Sequence, residues 1–285
     1  MAARADLATS GGATAGSVAA LTIPRQHGAW SVLLLGYALG VGALGALNGA
    51  TALFLALMVA GFLARHTIAT WLRLPQGDGR RRTLAAWAVG YVVVAASALS
   101  ALVLVYDRWL TLPLGALLLL FAAVSAVLEW RRKNRTAWGE WVNILGLSVV
   151  APAAAYVGSG AVNWGTLGLW ALAAVFFTAS VFHVRYLVRR RSSAGGPLAE
   201  RLRAGASSLM YHGLGLGLIV GLAVAGIVPF GAALAMAPTI VKAVWVVRHR
   251  QSGPLSIRRL GYSELAHSLA FVLLAVAAYR VGPGA

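Results

Sequence analysis

Long apolar runs separated by short polar breaks fill most of this 285-residue chain. A helix needs about 20 mostly apolar residues to cross a bilayer at 1.5 Å per residue. Nine stretches come to that length: about 29–47, 50–72, 84–106, 110–129, 138–157, 164–188, 205–227, 229–247 and 263–281. Small residues stud them, as at Gly36, Gly40, Gly42 and Gly45 in the first, where they let neighbouring helices approach closely. Trp30, Trp71, Trp109, Trp130, Trp138, Trp164, Tyr186 and Trp245 fall near the ends, the placement of an interfacial aromatic belt. The pattern predicts an all-α, polytopic transmembrane bundle of about nine helices, forming one domain over residues 23–285. Residues 1–22 are small and polar at first and lack a continuous apolar core, so they read as a disordered cytoplasmic tail, not a signal peptide.

Composition agrees. With 60% hydrophobic residues, 11% charged residues and a mean hydropathy of +0.78, an ordinary soluble domain is excluded. The absence of cysteine removes disulfides, thiolate metal sites and cysteine nucleophiles. A net charge of +17 in a soluble chain would suggest nucleic acid, but its distribution here says otherwise. Of the 24 basic residues, all but Arg108 and Arg280 sit before the first stretch or in alternate gaps, from Arg65–Arg82 to Arg248–Arg259. Such an excess in short loops marks the cytoplasmic side of a multi-pass protein. It predicts the cell (inner) membrane, with the N-terminus inside and the C-terminus outside. The bilayer and its anionic headgroups are then the expected partner, and nucleic acid is not.

The polar residues inside the stretches carry the functional question. If the second helix stopped before Arg65 it would be too short to span; if it continues to Arg73, Arg65 lies about 12 Å inside. An intramembrane cation either faces the interior with a partner or snorkels to the headgroups. Lys242 in the eighth stretch poses the same problem, and Glu129, Glu140 and Glu264 offer opposite charge at matching depth. The six histidines His27, His66, His183, His212, His249 and His267 all fall toward the basic ends, where a near-neutral side chain can bind an anion, carry a proton or hold a metal. The fifth and ninth stretches open alike, with an aromatic residue, then Glu140 and Asn143 or Glu264 and His267 three apart on one helical face. Asp6, Asp78 and Asp107 lie in the tail, in a loop and on the opposite face, so no Asp is available to hold Mg²⁺ there, no His pair is spaced for haem, and no cofactor or metal is identified.

Ile23-Pro24-Arg25-Gln26-His27-Gly28-Ala29-Trp30 resembles the opening of the YwiC-like family of bacterial membrane proteins. The Arg-rich loop after the second stretch, Gly139-Glu140, Leu145–Ser148, Ala151–Ala154 and Arg258–Glu264 fit the same family. That resemblance brings no activity with it. A fainter likeness, in the nine-helix layout, is to UbiA-type intramembrane prenyltransferases. Those enzymes carry Asp-rich segments where this chain has Arg65-His66 and His183-Val184-Arg185-Tyr186, so their Mg²⁺-dependent chemistry does not carry over.

These readings converge on a cytoplasm-facing polar cavity lined by His27, Arg65, His66, Glu140, Asn143, His183, Arg185, His212, Lys242, Glu264 and His267. Its excess of cations over acids predicts binding or modification of an amphiphile with an anionic head, such as a lipid or isoprenoid. A transporter for a small anion or a proton-coupled solute, and a non-catalytic assembly protein, are the alternatives.

Overall fold

The computed structural model describes residues 21–24, 27–132, 136–189, 197–249 and 256–281. The tail expected over 1–22 therefore lies almost wholly outside the described residues. Every regular element among them is helical: α1 His27–Ala43, α2 Gly49–Arg73, α3 Arg80–Leu104, α4 Thr111–Trp130, α5 Ala137–Ser148, α6 Val150–Ser159, α7 Trp164–Arg189, α8 Leu198–Val224, α9 Gly231–Ala235, α10 Ala237–Arg248 and α11 Ile257–Val281. By length and composition, eight of the spans they build suffice to cross a membrane, with α5–α6 and α9–α10 each counting as one. The segment Gly28–Ala43 is a shorter apolar helix. This is a multi-pass membrane protein.

The two broken spans have a common cause. Pro152 has no N–H, so the Ser148 carbonyl loses its helical donor and α5 ends there. Pro238 does the same near the start of α10. At the first break the Val149 N–H turns to Gly146 O, and Trp170 Nε1 donates at 3.4 Å to the Leu145 carbonyl left over.

Residues 23–285 divide into two compact units. The first holds the described residues up to His27 together with residues 52–106, which form nearly all of the α2–α3 hairpin. α2 runs unbroken to Arg73, as its apolar length requires. Its turn is held by Arg81, which donates to the Leu74 and Trp71 carbonyls and stacks 4.4 Å over the Trp71 ring. Beside it, the Arg80 side chain hydrogen-bonded to Asp78 holds that carboxyl down to about 2. Val89, Val92, Val93 and Val94 on α3 are exposed, as befits a face against lipid.

The second unit holds residues 28–51 and 107–285. Its core runs through Leu39, Leu172, Phe176, Ile219, Met236 and Phe271, with the Phe176 and Phe271 rings stacked 3.7 Å apart. α1 crosses α6 backbone to backbone: a β-carbon at Gly40 would drive into the Ala151 carbonyl, and α6 is alanine-rich and buried from Val150 to Gly158. The two cations on the sparsely charged side serve this unit. Arg280 donates to the Gly42, Gly45 and Val41 carbonyls at the end of α1, and Arg108 to Val157 O at the end of α6. Both neutralise carbonyls that a helix C-terminus leaves without donors.

Candidate functional site

Most of the residues expected to line one cavity separate into distinct groups. His27 opens α1, but its side chain lies outside the described residues. Arg65 and His66 belong to the first unit, where Arg65 is exposed on α2 and His66 half-buried. The remaining eight lie in the second unit, on five helices.

The larger group centres on Glu264 of α11. Lys242 Nζ, from α10, donates to both of its carboxylate oxygens at 2.8 and 2.9 Å. Ser180 Oγ, from α7, donates to Oε2 at 2.7 Å, and His183 Nε2, one turn further along α7, stands 3.8 Å from Oε1. The spacing of Ser180 and His183, three apart, puts both on the α7 face turned to α11. His212 on α8 approaches through Thr239 of α10, whose Oγ1 is 3.4 Å from Nε2. Because His212 Nδ1 lies 2.7 Å from the Ser208 carbonyl, it carries the proton, and Nε2 accepts from Thr239. His267, one turn after Glu264, is oriented in the same way by Ser263 O at 2.6 Å. The Lys242 and Glu264 side chains are 8% and 18% exposed, so this ion pair is held between helices away from the surface. His183 is buried, with Nδ1 unbonded.

The smaller group joins α5 to α7, with Arg185 Nε donating to Glu140 Oε2 at 2.7 Å and Asn143 half-buried one turn along α5. This arrangement corrects the expected charge balance. Lys242 and Arg185 are each matched by a carboxylate, so neither is an uncompensated cation awaiting an anion. Ser180 and Thr239 went unnoticed in the sequence because hydroxyls are common in apolar helices and only their neighbours give them roles.

Below the Glu140–Arg185 pair lies a concavity of about 300 Å³, lined by Trp141 and Leu145 of α5, Trp170 and Ala174 of α7, and Tyr211 and Leu218 of α8 among others. α5 and α8 both pack along α7, so the slot is the groove between them with the small side chains of α7 as its floor. At its polar end the Phe182 and Tyr211 rings stack at 4.5 Å, and Trp141 leans on both at 5.9 and 6.5 Å. Leu218, 51% exposed, marks the open side. The Trp141 indole N–H is buried without a hydrogen-bond partner. Among the described residues, no group of three histidine or acidic side chains converges to hold a metal.

Residues 23–156 match the model of the YwiC-like protein family. That stretch runs from before α1 into α6, so it includes Glu140, Trp141 and Leu145 but ends before α7. No curated protein and no solved structure gives a match, which adds nothing to the UbiA-type resemblance.

Proposed function

We propose that this YwiC-like membrane protein binds an amphiphile, its hydrocarbon chain in the slot between α5 and α8 and its head at the Glu140–Arg185 end. The observation that carries the reading is the slot itself, apolar along its length, with an unbonded indole N–H at the end nearest the ion pair. Its volume is at the lower end of ligand sites, which run to roughly 300–1,000 Å³. A buried donor without a partner costs free energy that an ester, carbonyl or phosphate oxygen would recover. The interfacial tryptophans Trp138 and Trp141, 5.4 Å apart, set the depth of that head. In this reading the basic loops face the cytoplasm and the bilayer is the cell membrane.

The test is native mass spectrometry of the protein released from membranes, comparing wild type with Ala174→Trp, which fills the slot floor. Wild type should retain a chain-bearing lipid or isoprenoid that the variant loses; equal retention would refute the slot. A proton-coupled carrier is favoured by a different observation, the Lys242–Glu264 cluster between helices beside a span broken at Pro238. It predicts proton-dependent flux in proteoliposomes that Glu264→Gln abolishes.

A further inference from the structure

Lys242 and Arg185 have counter-ions, but among the described residues another buried cation has none. Arg201 stands in the first turn of α8, only 7% exposed, and its Nε and Nη1 are buried with no hydrogen-bond partner. It heads the buried face of α8 that continues through Gly205, Ser208 and His212. One turn below it a β-carbon at Gly205 would meet Val247 Cγ2 of α10 at 2.6 Å and the Tyr186 ring of α7 at 3.4 Å. The start of α8 is therefore packed where α7, α8 and α10 close together. No ion pair among the described residues includes it. Glu140 is taken by Arg185, Glu264 by Lys242 and Asp78 by Arg80, while Asp107 accepts from Trp109 Nε1. Glu200, the preceding residue in the chain, is exposed.

A guanidinium keeps its charge and presents five N–H donors in a planar fork. Buried without an acceptor, it is among the costliest groups a protein can hold, and a missing anion is the simplest remedy. We infer that Arg201 is the centre of an oxyanion site whose ligand is a phosphate group. The fork accepts two phosphate oxygens side by side, and phosphate carries more charge and more acceptor oxygens than a carboxylate to match a guanidinium that has no other partner among the described residues. The phosphate belongs to a lipid headgroup or is free in solution; the chemistry of capture is the same. This site stands apart from the slot, and neither depends on the other.

The experiment follows thermal unfolding of the whole protein in detergent and phosphate-free chloride buffer. Four conditions are compared: no addition, inorganic phosphate, phosphatidylglycerol micelles and phosphatidylcholine micelles. Stabilisation by phosphatidylglycerol beyond that by phosphatidylcholine, whose phosphate charge is offset by its choline, identifies an anionic lipid phosphate as the ligand; stabilisation by inorganic phosphate identifies the free ion. In either case Arg201→Met should shift the midpoint concentration by about tenfold or more, as expected for charge-assisted hydrogen bonds, while Arg203→Met leaves it unchanged. With no addition, Arg201→Met should be at least as stable as wild type, because it removes an unmatched buried charge. Three outcomes overturn the site: a wild type indifferent to both phosphate and phosphatidylglycerol, a response that survives in Arg201→Met, or an Arg201→Met variant destabilised or unfolded without ligand. The last would mean that the protein already satisfies the guanidinium.

Discussion

Replacing Glu264 by Gln tests the reading of the central cluster most directly. The substitution keeps size and an acceptor oxygen for Ser180 but removes the charge facing Lys242. Lys242 Nζ lies 2.8 and 2.9 Å from the two carboxylate oxygens, and the two side chains are 8% and 18% exposed. At that separation the attraction is about 6 kcal/mol for an effective dielectric constant of about 20, before the cost of removing both ions from water. What the variant loses is smaller than that gross term but still large, about 3–5 kcal/mol, because the ammonium is left buried with no counter-charge. Lys242→Met should cost a comparable amount, by leaving the carboxylate unmatched. The double variant Glu264→Gln/Lys242→Met should lose only about 0–2 kcal/mol, since no charge remains to be compensated. Unfolding by graded denaturing detergent, applied to wild type, both singles and the double, gives the four stabilities. A single-variant loss below about 1 kcal/mol, or a double variant whose loss equals the sum of the singles, would refute a coupled buried pair.

Arg280→Ala should lower stability by about 1–2 kcal/mol in the same assay, since it strips donors from the Gly42, Gly45 and Val41 carbonyls closing α1. Arg280→Lys should recover part of that loss, and an unchanged midpoint in Arg280→Ala would remove the capping role. Topology is open to direct labelling because the chain has no cysteine of its own. A cysteine at Arg131 should react with an impermeant thiol reagent only after the membrane is broken, and one at Trp109 in intact cells; the reverse pattern would invert the proposed orientation.

The helical class, eight of the nine spans and their approximate boundaries were legible in the sequence, because a bilayer imposes length and apolarity locally and every backbone group must be satisfied within its own helix; the first stretch, expected over 29–47, ends at Ala43 as a shorter helix. Even Arg65 inside α2 followed from the length rule. The two basic outliers were visible as exceptions, but their role as C-caps was not, because the carbonyls that Arg280 reaches lie more than 230 residues earlier in the chain. Site residues were recognised as chemically unusual one at a time, without their pairing. Glu264 meets Lys242, Ser180 and His183 through α10 and α7, and Glu140 meets Arg185 through α7, so the apparent excess of cations disappears at Lys242 and Arg185.

Arg201 shows the opposite error. Hydropathy placed it outside a seventh span beginning near residue 205, as one loop arginine among several, whereas α8 begins at Leu198 and turns it inward. A signal existed in the repeat of Arg201, Gly205, Ser208, His212 and Gly215 along one helical face. By itself, the sequence determined which segments enter the membrane and which end of each is basic, since both depend on local composition. The tertiary structure alone decided which intramembrane charges cancel and that Arg201 is buried with no counter-ion among the described residues, because that depends on which helices stand side by side.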